Sequence, residues 1–438
     1  MHERVRLSAF ARAGRVRGED TACPDRRSAP PRRAGPLVVV LILAGTAGLV
    51  LPVAQAIAAR VASDRHRVRS DGLGVSAVST AGTRPLVFGI YPGGAAGTVG
   101  ASGQLVPEDP GKTLAALEEL RAPGHPLVVH LYASYPGPGG WSAAQQIGQD
   151  VAQYTAAGLQ VELVLTYRPA DGGSASDVAG FAEFARETVR SFGSNRLVVY
   201  LQVTNEANVD GGPNTSDGYY TDAKDALIDG VIAAKNEIHS AGFQQIKVGF
   251  NWVYSIGRSA TGFWRYLGQH GRGAFANAVD WVGLDIYPGT WGPPSDPRDL
   301  SRGTAVAIDA ALRSLRQRYM PIAGLPPKVP LHVSENGYPT GPGRTEAMQV
   351  TAMRAAIAAV DSERANYNVT DYRWFDLRDA DSASGSFESR YGLLNDDYSP
   401  KAAFAVYRDL VTNLSKRLPS PRHSRGRQVR SPGRTTHH

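Results

Sequence analysis

Short apolar runs rich in β-branched residues recur along this chain, and between them apolar positions return at the three-to-four-residue spacing of a helix. The runs are PLVFGIY (85–91), PLVVHLY (126–132), QVELVLTY (160–167), RLVVYLQVTN (196–205), IKVGFNW (246–252), AVDWVGLDIY (278–287), VPLHVSE (329–335) and TDYRWFDL (370–377). Each has the length and composition of a strand. Most are apolar on consecutive rather than alternate positions, the pattern of strands covered on both faces in a parallel sheet. Between the third and fourth runs, 176–193 predicts a helix opened by a Ser/Asp cap and closed by Gly193, with Val178, Phe181, Phe184 and Val189 on its buried face. A second helix is predicted over 221–242, closed by Gly242.

Eight such strand–helix units over 85–414 predict a (β/α)8 barrel with loop insertions. The alternative is an open doubly wound sheet, whose usual flag is a glycine-rich first turn. YPGGAAGTVGASG (91–103) has that composition. No helical pattern clearly follows it, however, and the second strand ends on His130 and Tyr132 rather than on an acid, so the stretch reads as a flexible loop.

Charge divides the chain. Its formal net charge of +7 comes from the ends: residues 1–60 hold ten arginines against four acids, 415–438 hold seven Lys/Arg and no acid, and the body between them is mildly acidic at −6. A nucleic-acid surface needs clustered basic charge on a folded face, so that class is excluded. Residues 1–36 read as a basic disordered leader and 37–59 as a signal peptide or transmembrane anchor, because an uncharged stretch of spanning length follows the arginines. Either reading exports the body, since the arginine excess stays in the cytoplasm. Residues 60–84 read as a linker and 415–438 as a basic disordered tail. The one cysteine, Cys23, lies in the leader, which excludes an intrachain disulfide and a thiolate metal site.

In a barrel, polar residues at the C-terminal ends of the strands converge on one mouth. Two of the runs end on a carboxylate: Asn205-Glu206 closes the fourth and Ser334-Glu335-Asn336-Gly337 the seventh, 129 positions apart in sequence. The sixth ends in Tyr287 and the eighth carries Trp374. For any one strand-end glutamate, a cap or an arginine partner is an equally good reading. Taken together, these positions resemble the clan A retaining glycoside hydrolases, barrels with an Asn-Glu pair ending strand four and a catalytic glutamate ending strand seven. The resemblance covers 85–414 and includes the closing YGLLNDDYSPKAAFAVYRDL (391–410). It implies that Glu206 is the general acid/base and Glu335 the nucleophile. It further implies that Asn205 bonds the sugar hydroxyl beside the reacting carbon, Tyr287 donates to Glu335, and Trp374 offers an apolar face to a sugar ring.

By position alone, His130, Tyr91, Asn251, Trp252 and Asp285 are candidates to line the same mouth. Asp285-Ile286-Tyr287 departs from the histidine that several families of the clan place near strand six, which leaves the sugar undetermined. Other chemistries lack their motifs: no Gly-x-Ser-x-Gly elbow surrounds Ser334 and no HExxH occurs. No metal and no organic cofactor is implied. The expected partners are a carbohydrate and, through 37–59, a membrane, and the chain is expected to be a monomer. The alternative of another class is a non-catalytic carbohydrate-binding or cell-surface protein on a degenerate barrel.

Overall fold

A computed structural model describes residues 84–93, 106–169, 176–213, 215–292, 296 and 298–416. The basic leader, Cys23, the 37–59 segment, residues 60–83 of the linker, the loop from 94 to 103 and the tail beyond 416 lie outside the described residues. Eight parallel strands close into a barrel in sequence order: β1 (Val87–Ile90), β2 (Leu127–Tyr135), β3 (Gln160–Tyr167), β4 (Val198–Val203), β5 (Lys247–Val253), β6 (Trp281–Asp285), β7 (Leu331–Asn336) and β8 (Val369–Trp374). All eight apolar runs are strands, and β1 pairs with β8, so no open edge remains.

Local chemistry sets the helices between them. The helix over Val178–Phe192 (α1) opens where the Asp177 side chain accepts the Gly180 N–H, and it buries Phe181, Phe184, Val189 and Phe192. The next helix, Ala223–Ala241 (α2), ends at Gly242, whose φ of 78° is left-handed and costs a residue without Cβ little. After β8, Ala402–Leu414 (α3) closes the outer ring, and its Tyr407 hydroxyl donates to the Gly89 carbonyl at 2.7 Å. Among the described residues no helix is long and apolar enough to cross a membrane.

The barrel interior is polar rather than filled with branched aliphatics. Arg373 of β8, 1% exposed, donates to Glu162 of β3 at 2.9 Å and to Asp371 at 3.0 Å. His332 lies 3.2 Å from Asp371, with its ring stacked 4.4 Å from Trp281. A long guanidinium needs space across a small barrel, and Gly89 supplies it: a Cβ there would stand 2.5 Å from Arg373 Cδ. A cavity of about 500 Å³ opens where the strands begin, lined by Tyr200, Trp281, His332 and Asp371 among others.

Candidate active site

At the other end of the barrel, two irregularities set the chemistry. The first is the end of β4, where Thr204 (φ 63°) and Glu206 (φ 55°) both take left-handed backbone. For residues with a Cβ this costs about 1–2 kcal/mol each, so something must hold them there. The Glu206 N–H donates to Asn251 Oδ1 at 2.8 Å and the Asn205 N–H to Asp217 Oδ2 at 2.8 Å. The second is a bulge in β7: Leu284 pairs with Val333 but Asp285 pairs with Glu335, leaving Ser334 as the extra residue. A bulge re-aims side chains. Ser334 donates to Asp285 Oδ1 at 2.6 Å, while the next residue, Glu335, also faces the mouth and accepts from Tyr287 at 2.7 Å and from Tyr132.

The folding thus brings Glu206, Asp285 and Glu335 together, with one carboxylate oxygen of each within 4.8 Å of the others. Three such groups cannot all ionise freely. Burial pushes the Glu206 pKa well above the usual carboxylate range, and the charges of Glu335 and Asp217 push it further, against a downward pull from Arg168. Burial also raises Glu335, but the Tyr132 and Tyr287 hydroxyls act to lower it. Asp285 is raised well above its ordinary value by burial and by the charges of Glu335 and Glu206. Asp217, buried 3.8 Å from Arg168, is raised to about 7, chiefly by burial. A carboxyl pushed toward its acid form therefore stands next to one supplied with two hydrogen-bond donors.

The three oxygens have a spacing that a cation could bridge. Their surroundings argue otherwise: Asn251, Ser334, Tyr132 and Tyr287 place hydrogens on the oxygens of Asp285 and Glu335, where a divalent cation would call for further lone pairs.

Of the residues singled out from sequence, Glu206, Glu335, Tyr287, Asn205 and Asn251 meet at this mouth. Asn205 is largely committed, with its Oδ1 accepting from Asn251 at 2.8 Å and its Nδ2 donating to the Thr215 carbonyl at 3.1 Å; one amide hydrogen is left over. Two aromatic expectations fail for one reason. Successive strand residues point to opposite faces, so with Asn251 and Arg373 facing inward, Trp252 and Trp374 face the helices. Trp252 is fully buried against Trp264 and Tyr319, and Trp374 against Tyr407. His130 lies inside the barrel beneath Tyr132, its rings 4.8 Å apart, with its pKa lowered to about 3 by burial and by Arg373. The aromatic groups actually at the mouth include Tyr91 and Phe375, stacked at 5.0 Å, with the Tyr287 ring 6.5 Å from Phe375. Tyr132, Phe375, Arg168 and Asp217 were not singled out as site residues. Tyr132 was the most legible of them, since it shares a face of β2 with His130.

Comparison with solved structures bears on the fold. A subfamily 18 member of glycoside hydrolase family 5 from Streptomyces cattleya superposes with a TM-score of 0.54 at 19% identity, covering 78% of this chain and 83% of that one. An exo-β-1,4-mannosidase from an Opitutaceae bacterium gives 0.53 at 14%, covering 82% and 67%. A family 1 β-glucosidase from Exiguobacterium antarcticum gives 0.51 at 13%, covering 76% and 99%. The fold is the eight-stranded parallel barrel of these glycoside hydrolases. Identities this low establish the barrel fold and nothing finer. No protein-family model matches the chain, and no curated protein matches it. Some neighbours are much longer: the chain spans 66% of a family 39 glycoside hydrolase from Bacteroides cellulosilyticus and 51% of a β-D-glucuronidase from Dictyoglomus thermophilum.

Proposed function

We propose that the protein is a glycoside hydrolase that cleaves a β-linked oligo- or polysaccharide with retention of configuration. One observation carries this reading: carboxylate oxygens of Glu206 and Glu335 lie within 4.8 Å of each other. Retaining enzymes hold their two carboxyl groups about 5–5.5 Å apart, whereas inverting enzymes need about 6.5–9.5 Å to admit a water. In the first step protonated Glu206 gives its hydrogen to the glycosidic oxygen as Glu335 attacks the anomeric carbon, forming a glycosyl ester and releasing the leaving group as an alcohol. In the second, Glu206, now a carboxylate, takes a proton from water, whose oxygen displaces Glu335 and restores both groups. The hydroxyls of Tyr132 and Tyr287 keep the nucleophile ionised and aimed, and the spare Asn205 amide hydrogen serves a sugar hydroxyl.

Glucosides and mannosides are the first substrates to try, because the neighbours include a β-glucosidase and an exo-β-1,4-mannosidase. The test is Glu335→Gln on an aryl β-glycoside that the wild type cleaves, with the first-formed anomer followed by proton NMR. Abolished turnover in a variant with a native melting curve, together with a β product from the wild type, is expected. Undiminished turnover, or an α product, overturns the assignment. Glycan binding with no hydrolysis across the panel favours the binding-protein alternative. We also propose that the arginine-rich leader and residues 37–59 export the barrel and tether it to a membrane; cell fractionation with N-terminal sequencing decides between anchor and cleaved signal.

A further inference from the structure

Asp285 has no part in the two-carboxylate reaction, yet it lies between its partners. It is fully buried, pairs in register with Glu335 across the β6–β7 ladder, and has a carboxylate oxygen within 4.8 Å of both glutamates. Its two oxygens have separate donors: Ser334 Oγ at 2.6 Å on Oδ1, and the Asn251 amide on Oδ2. The orientation of that amide follows from its other bond. Asn251 Oδ1 accepts the Glu206 N–H, so its Nδ2 must face Asp285 and Asn205. The barrel makes room for this arrangement at Gly283, where a Cβ would stand 2.2 Å from Ser334 Oγ.

Resting on the glycosidase reading, we propose that Asp285 is a positioning residue: ionised, it holds the acid proton on Glu206 and, through Asn251, fixes the backbone that aims Glu206. Burial and the charges of both glutamates raise the Asp285 pKa, whereas the donor on each of its oxygens lowers it by favouring the charged form. Among the described residues no side chain donates to the Glu206 carboxyl, so of the two it is the one left with the proton. The charged and titratable groups facing Glu206 are Arg168 and Asp217 from the loops after β3 and β4, Asp285 and Tyr287 from β6 and the loop after it, Glu335 from β7 and Tyr132 from β2. Arg168 alone among them favours the carboxylate.

The consequence is greatest in the second step. Once Glu335 is an ester its charge is gone, and Glu206 must then be basic enough to take a proton from water. The Glu335 charge is also one of those that raise the Asp285 pKa, so with it gone Asp285 stays ionised and maintains that basicity. Departure of the proton in step one and its return in step two are thus governed by a group that never contacts the sugar.

The test uses the full chain with ¹³C-labelled glutamate carboxyls, titrated by NMR without substrate, the Glu206 resonance being assigned by its loss in Glu206→Gln. Asp285→Asn keeps both hydrogen bonds, with Oδ1 toward Asn251 and the amide toward the Ser334 hydroxyl, and removes only the charge. The Glu206 titration should fall by about 2.5 pH units, the size of a unit-charge interaction at 4.8 Å with an effective dielectric of about 20. If that variant does not fold, Ser334→Ala removes one donor, lets Asp285 take up a proton, and should move Glu206 the same way by a smaller step. A Glu206 titration that stays put or rises overturns the proposal, whatever Glu335→Gln shows about the reaction.

Discussion

The two phenols on Glu335 offer a quantitative handle on the nucleophile. Tyr287 donates to Oε2 at 2.7 Å and Tyr132 to Oε1, and the hydroxyls of both are pushed well above their ordinary pKa, first by burial and then by the charge of Glu335, so both remain donors at any working pH. They are the two groups that lower a Glu335 pKa otherwise raised by burial. A hydrogen bond to a charged partner contributes about 1.5–3 kcal/mol, and one pH unit corresponds to about 1.4 kcal/mol. Tyr287→Phe or Tyr132→Phe should therefore raise the Glu335 pKa by about one to two units. The sign follows directly: the nucleophile must be ionised, so the acid limb of kcat/KM moves to higher pH. The assay is kcat/KM between pH 4 and 9 on a dinitrophenyl β-glycoside, whose leaving group needs little acid assistance. The double variant should shift the limb by more than the two single shifts together, because once one hydroxyl is gone the other bears more of the charge. Acid limbs that coincide with the wild type in both single variants, with native melting temperatures, would refute the assignment of Glu335 as the ionised partner.

Four further outcomes test the surroundings. The pKa of His130 is lowered to about 3, so below its ordinary value of 6.5 the unfolded chain binds a proton that the folded one does not. Stability relative to His130→Phe should accordingly be lost by about 1.4 kcal/mol per unit as the pH falls from 6.5 toward 3, as read by urea unfolding; a pH-independent difference refutes it. Trp141 and Trp291 are exposed at 68% and 53% and follow β2 and β6, which are diametrically opposed in the ring. Replacing either with alanine should raise KM for an oligosaccharide about five-fold and leave a monosaccharide glycoside unchanged; equal effects on both substrates exclude a role in chain binding. Arg373→Met should cost about 3–5 kcal/mol by stranding Glu162 and Asp371, whereas Glu206→Gln at pH 8 should stabilise by roughly 1 kcal/mol, both measured by thermal or urea denaturation.

The barrel was legible because its strands are covered on both faces and so appear as continuous apolar runs: the third was expected over 160–167 and spans Gln160–Tyr167. The glutamates were legible because a strand that ends on a carboxylate in this architecture can hardly avoid the mouth. What sequence concealed was parity. Asn251 and Trp252 are neighbours on one strand and cannot both face inward, yet nothing in the run says which does. The bulge at Ser334 is equally hidden, since it exists only in the register between β7 and its two neighbours. The second strand runs on to Tyr135, three residues past its apolar core, so Tyr132 lies within the strand at the depth where it reaches Glu335. Arg168 and Asp217, 49 positions apart, meet through a loop that no local pattern announces.

Charge inside the barrel is stratified, and the stratification separates folding from chemistry. In the lower layer each ion is answered: Arg373 faces Glu162 and Asp371, and His332 sits beside Asp371 with its pKa lowered to about 4, chiefly by burial. That layer behaves as a buried ion network, costly to break and neutral to catalysis. In the upper layer three carboxyls crowd within 4.8 Å, and the cation that bears on Glu206, Arg168, is shared with Asp217. A chain selected only for stability would have placed a lysine or an amide among them. The left-handed backbone at Thr204 and Glu206 adds strain to the same spot, and strain and unanswered charge together are what a site pays for holding one carboxyl protonated beside another that is not. The polar interior thus consists of a scaffold below, where one guanidinium is shared between two carboxylates, and a reactive layer above, where no cationic side chain of the described residues sits among the three carboxyls.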